Sequence, residues 1–258
     1  MEKLVQALQQ YVRPETFPVG VKFSADGWLP EKARRPKASF GHRLNLCQGI
    51  AMARRMGWTV GMLPEDHACA PSLIVLGLAE KPDFVARGEL VYPLYAATPE
   101  IGARTEEFTP QLPAGTVRSV VIAPLERAAF EPDVILVYGN AAQVARLVQG
   151  ALYHRGGRIT SHFTGRVSCA NELVVPYQTG ECQVIVPGAG ERVFALTEAH
   201  ELCFALPAAR ADELARGLAD THKQGGLRVP VPFLGLLARP KFPDYYRRLE
   251  ETVGVTDF

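Results

Sequence analysis

A chain of 258 residues, 47% hydrophobic and 21% charged, is long and apolar enough to bury a large core, which excludes a disordered segment and fits one domain. Lys and Arg number 28 against 27 Asp and Glu, a balance that leaves no long-range field for nucleic acid or for an anionic membrane surface. No apolar run approaches the roughly 20 residues of a membrane helix, the first residues hold no basic stretch leading into an apolar one, and five cysteines suit a reducing compartment; a cytoplasmic location with no membrane or nucleic-acid partner is expected.

In chain order, Leu4, Val5, Leu8 and Val12 fall at helical spacing before Pro14. Val19, Val21 and Phe23 then alternate as in a half-buried strand. The basic stretch from Lys32 to Lys37 has no period and no interleaved aromatics, and reads as a solvated loop. Apolar positions from Leu44 to Met56 share one side of a helix that Gly57 ends, with Cys47 near its start, where the backbone dipole lowers a thiol pKa unless the sulfur packs inward. Residues 58–63 suit a strand, and residues 72–78 a buried helix or strand. The Pro- and Gly-rich stretch 80–115 reads as a covering loop with one helix from Pro99 to Phe108.

Further on, Ser119–Pro124, Asp133–Tyr138 and a helix through Leu147 are echoed by Gln183–Pro187, Glu201–Leu206 and a helix through Leu218, at an offset that drifts only from 63 to 70 residues. The expected fold is α/β or α+β, a mixed sheet built from two copies of a strand-loop-strand-helix unit with helices packed on it. Within a single domain, residues 1–115 form an N-terminal half, 116–226 the duplicated core, and 227–258 a C-terminal docking segment. That last segment combines the Pro-broken Val229–Phe233 with a helix from Pro243 to Val253, whose Tyr245, Tyr246 and Leu249 should dock on the body. The segment Gly165–Glu172 is expected at the seam between the copies.

Chemistry is expected first at Glu65-Asp66-His67-Ala68-Cys69-Ala70-Pro71, where two carboxylates, an imidazole and a thiol occupy seven residues. His67 and Cys69 share a face only if the segment is extended, as a thiol–imidazole pair would require; a turn capped by Asp66 or Glu65 is the other reading. Arg166 and Arg192 are candidate cofactor-binding cations. Arg166 precedes Cys169 by three residues and either holds an anionic ligand or thiolate, or pairs with Glu172. Arg192 follows Pro187-Gly188-Ala189-Gly190-Glu191, which is either an anion-receiving backbone nest or a hairpin turn leading to another strand.

Phe17–Phe23, Cys47 at its helix, Asp66–Cys69, Pro132–Ile135 and Arg166–Ala170 together resemble the ArCR family, a domain of unknown function, over nearly the whole chain. The resemblance implies recurring cysteines at Cys47, Cys69 and Cys169, and no agreed activity. The family pattern often has a further cysteine after the strand that ends here at Pro187, where this chain has none, so three thiolates plus another ligand are implied. Soft thiolates suit an iron–sulfur cluster or another thiolate-bound metal, with His67, a small molecule or solvent in the fourth position. Three apolar core cysteines are the alternative, and no Cys-x-x-Cys knuckle points to structural zinc. Cys182 and Cys203 read as core. The leading expectation is therefore a metal- or cluster-binding protein of unassigned activity. A small-molecule binding protein or enzyme with its pocket at the seam is the second expectation, and a structural protein that oligomerises through its C-terminal segment the third.

Overall fold

The computed structural model describes residues 1–231 and 244–254. Its helices are α1 (Glu2–Tyr11), α2 (Pro36–Phe40), α3 (Leu46–Met56), α4 (Ala70–Val75), α5 (Asp83–Ala86), α6 (Pro99–Phe108), α7 (Ala141–Leu152), α8 (Val175–Thr179), α9 (Ala189–Phe194), α10 (Ala211–Lys223) and α11 (Arg247–Val253). A π-helical turn, Ala170–Val174, runs directly into α8. The strands are β1 (Val19–Ser24), β2 (Val60–Met62), β3 (Ser119–Pro124), β4 (Val134–Gly139), β5 (Gln183–Ile185) and β6 (Leu202–Pro207).

These strands form one sheet in the order β2-β3-β1-β4-β6-β5, and every pairing between them is antiparallel. The expected class of α/β or α+β holds, and the sheet is antiparallel throughout and not mixed. Period-two alternation explains the layering. In β4, Val134, Leu136 and Tyr138 face one core with Val21, Cys203, Ile50 of α3 and Leu173 of the π turn. Ile135 and Val137 face the other, with Leu4 and Leu8 of α1, Leu147 of α7 and Leu218 of α10. Burying each such side chain stabilises the fold by about 1.5–3 kcal/mol, and both faces do so; the strands are covered on both sides.

Helix ends follow local chemistry. Asn140 caps α7 by accepting the Gln143 N–H at 3.0 Å, while Gln143 Oε1 accepts the Asn140 N–H at 2.8 Å. Gly57 ends α3 in the left-handed conformation at φ 72, donating its N–H to Ala53. The 32–37 stretch is less irregular than expected, because Pro36 opens the short helix α2.

The topology does not confirm a whole-unit duplication. β4–α7 and β6–α10 are matched, since β4 and β6 pair antiparallel and α7 packs on α10. The preceding strands differ: β5 pairs directly with β6, whereas β1 lies between β3 and β4. β1 and β2, from the N-terminal half, thus complete the same sheet. Within the C-terminal segment, residues 244–254 have no buried side chain, and Pro232, Phe233 and Pro243 lie outside the described residues. Among the described residues no helix is long and apolar enough to cross a membrane.

Candidate functional site

Three distant stretches bring their cysteines to one cavity. Cys47 is the second residue of α3, whose entry is fixed by the Asn45 N–H donating to Gln48 Oε1 at 2.8 Å. Leu44, just upstream, pairs with the chain before Cys69: its N–H donates to Asp66 O at 3.0 Å, and its carbonyl accepts the Ala68 N–H at 2.8 Å. Cys69 is consequently held beside the start of α3 as the N-cap residue of α4. Cys169 arrives from the opposite direction, immediately before the π turn. Two residues earlier Val167 adopts φ 49, a conformation costly for a β-branched side chain, and its carbonyl accepts the Ala170 N–H at 2.9 Å.

Cys47, Cys69 and Cys169 line a cavity of about 180 Å³ together with Ser72, Tyr95, Arg166, Ser168 and Glu191. It lies on the α3 face of the sheet, opposite α7 and α10. A larger cleft of about 490 Å³, along Arg13–Pro18, Arg54 and Arg55, contains no thiol. Among the described residues no group of three or more His, Cys, Asp or Glu side chains is arranged to hold a metal ion. The thiols share a chamber without converging on one ion's coordination sphere.

Burial and neighbouring acidic groups keep two of the cavity's thiols, Cys47 and Cys169, protonated. Burial, then the neighbouring Glu191, Cys69 and Glu172, push the Cys47 thiol up to about 12, against the lowering expected from its helix position. Burial likewise raises Cys169 well above the ordinary thiol value, reinforced by Cys69 and Glu172. The Cys47 thiol donates to Gly190 O at 3.7 Å. Cys182 and Cys203 are core residues as expected, 2% and 0% exposed on opposite faces of the sheet.

His67 stands behind the cavity wall. It is buried, its Nδ1 lies 3.4 Å from Ser72 Oγ, and Ser72 donates to Cys69 O at 2.7 Å. Among the described residues its Nε2 has no hydrogen-bond partner, and burial lowers its pKa to about 4 despite nearby Asp66. Asp66 itself is structural: it accepts Arg35 Nε and Nη2 at 3.1 and 3.0 Å and the N–H groups of Leu63 and Lys37 at 3.0 and 3.1 Å. Arg166 lines the cavity but pairs with Glu106 of α6, not with Glu172. Arg192 is outside the lining: Nε donates to Pro187 O at 3.1 Å and Nη2 to Glu201 O at 3.4 Å, which closes the loop between β5 and β6. Neither a hairpin turn nor a nest occupies 187–192, because Gly188 caps α9.

Sequence reasoning missed the carboxyl pair behind the thiols. Glu191 Oε2 accepts the Ser168 hydroxyl and, at 3.0 Å, the Gly188 N–H; Oε1 accepts the Tyr138 hydroxyl at 2.9 Å. Glu172 is fully buried, with Oε1 3.3 Å from that hydroxyl and its carboxyl against that of Glu191. Burial, and then Glu191 alongside, raise the Glu172 carboxyl well above the carboxylate range, so it carries its proton. The Arg54 guanidinium lies 4.2 Å over the Tyr138 ring and donates to Glu201 at 2.6 and 3.0 Å. One signal was available: Glu191 three residues after Gly188 is a helix-start spacing.

The fold and site define an antiparallel sheet covered by helices on both faces, with a three-thiol cavity backed by buried carboxyls on one of them. The profile of the family described as uncharacterised ArCR matches residues 7–217, and the chain belongs to that family. It is also 27% identical over 175 residues to the uncharacterized protein MJ0308 of Methanocaldococcus jannaschii, covering 67% of this chain and 75% of that protein. No solved structure matches the chain.

Proposed function

We propose that this protein binds an iron–sulfur cluster or a comparable polynuclear thiolate-bound metal group through Cys47, Cys69 and Cys169. The observation that supports this reading is the gathering of these three thiols, from stretches 22 and 100 residues apart, around one cavity. Ordinary core packing places cysteines singly, as it does Cys182 and Cys203. A cluster presents several metal atoms at its corners, so its thiolates need not meet at one point. This reconciles a shared cavity with the absence of a single-ion site among the described residues. Bound metal would supply redox or Lewis-acid chemistry and would deprotonate the thiols, reversing their raised pKa values.

The fourth position falls to an exogenous ligand or solvent. Glu191 lines the cavity with both oxygens already accepting hydrogen bonds, and His67 lies behind Ser72. Arg166 is committed to Glu106, and Arg192 to backbone carbonyls, which removes both as primary cofactor ligands in this reading. A second reading, a small-molecule pocket or enzyme site in the same cavity, is favoured by Tyr95 on its wall.

Anaerobic purification from cluster-competent cells, with iron and acid-labile sulfide quantified, tests the proposal. Coloured protein containing both elements is expected, and Cys47→Ala, Cys69→Ala and Cys169→Ala should each lose them, whereas Cys182→Ala and Cys203→Ala should keep them. Colourless, metal-free wild-type protein would leave only the small-molecule reading.

A further inference from the structure

The segment that puts Tyr95 on the wall of the thiol cavity forms a unit of its own. Residues 82–108 carry α5 and α6, and their buried apolar residues Val85, Val91 and Ala96 belong to neither core of the sheet. Gly88 and Gly102 bring the two helices into backbone contact, since a Cβ on Gly102 would lie 2.6 Å from Gly88 O. The flanks are pinned: Leu112 N–H donates to Val75 O and Gly115 N–H to Gly77 O, each at 2.8 Å. Between those flanks, among the described residues, the polar tie from 82–108 to the rest of the protein runs through Glu106. It pairs with Arg166 and, at 3.7 Å, with Lys81 at the base of the segment.

Both partners of the principal tie are buried, with side-chain exposures of 3% for Glu106 and 6% for Arg166. Arg166 also lines the thiol cavity, three residues before Cys169, and so does Tyr95 of the 82–108 segment. The ion pair thus joins that segment to the Cys169 stretch of chain at the cavity's rim. A segment with a small private core and one buried polar tie opens at lower cost than the central sheet.

We propose that residues 82–108 are a lid over the three-thiol cavity, hinged at residues 79–81 and 109–111 and latched by the Arg166–Glu106 ion pair. Opening breaks the pair, carries Tyr95 away from the thiols and admits whatever fills the chamber. The proposal does not depend on what that occupant is.

The test is the rate of iodoacetamide alkylation at each cysteine, followed by peptide mass spectrometry on the chain after chelator treatment under reducing conditions. Glu106→Gln should accelerate alkylation of Cys47, Cys69 and Cys169 by at least about tenfold, because removing one partner of a buried pair leaves the other uncompensated. Cys182 and Cys203, in the sheet cores, should stay protected. Unchanged rates in Glu106→Gln, or acceleration shared equally by all five cysteines, would overturn the latch. Hydrogen exchange on the unaltered chain supplies an independent check: amides of 82–108 should exchange together and faster than those of β1, β3 and β4, and equal protection would overturn the lid. Neither readout needs bound metal, so both stand or fall apart from the cluster proposal.

Discussion

Glu172 and Glu191 meet over one phenol: the Tyr138 hydroxyl lies 3.3 Å from the first and 2.9 Å from the second, with all three side chains buried. Burial, and then Glu191 alongside, hold the Glu172 carboxyl well above its ordinary range, so that it keeps its proton.

That assignment sets a pH dependence. The unfolded Glu172 carboxyl ionises near 4.5, while the folded one does so only at higher pH, so the folded state binds the extra proton between those values. Its contribution to stability is fully present below about 4.5 and is lost as pH rises toward the folded pKa. Glu172→Gln, which mimics the protonated acid, should match the wild type near pH 4 and exceed it at pH 8. Thermal unfolding measures this; each kcal/mol corresponds to about 2–4 °C at this chain size.

Arg54 should be among the costliest residues to alter. It is 1% exposed and donates to Glu201, to Thr197 Oγ1 at 3.2 Å and to Leu196 O at 3.2 Å. Arg54→Met leaves Glu201 buried without its main partner, which should remove about 3–5 kcal/mol, read by urea unfolding at pH 7. Burial opposes the Glu201 charge, but Arg54 and the Glu198 N–H prevail and hold its pKa below 4.5. The wild type should therefore lose this stability only as pH falls through that depressed value, and Arg54→Met should flatten the acid limb.

His67 works in a neighbouring window with the opposite chemistry. Its folded pKa of about 4 lies below the ordinary 6.5, so the unfolded chain takes up the proton first and stability falls as pH drops from 6.5 to 4. The full effect is roughly 3 kcal/mol at 1.36 kcal/mol per pKa unit. His67→Asn should remove that slope, as denaturant midpoints measured across the window would reveal.

The crossing of α7 and α10 leaves no room for a methyl group. A Cβ on Gly217 would lie 1.9 Å from Gly150 O, so Gly217→Ala forces the helices apart although alanine favours helix. A loss of about 1–3 kcal/mol is expected for such overpacking, with the lowered Tm as readout.

Much of the layer structure was legible from periodicity. Val19, Val21 and Phe23 do alternate into β1, Pro99 and Phe108 do bound a helix, and Gly57 does stop α3. The central position of β1 was not, because strand order depends on partners about 100 residues away. Cys182 and Cys203 were recognisable as core from their apolar neighbours, whereas the raised Cys47 thiol was not: its local helix position favours the thiolate, and burial beside Glu191 outweighs that. The carboxyl pair was hidden for a related reason. Glu172 sits on a π turn, whose wide spacing no 3.6-residue pattern announces, and it meets Glu191 and Tyr138 only once the chain has folded.

The strand order also dictates a sequence of events at the ribosome. β1 is complete by residue 24, yet its partners are β3, which ends at residue 124, and β4, which ends at residue 139. At about 5–20 residues per second, Val19, Val21 and Phe23 wait on the order of 5–20 s beyond their own synthesis before either edge of the strand is paired. A nascent chain that short carries an unpaired apolar strand, a ready client for a holding chaperone, and the sheet closes only when its second half has emerged.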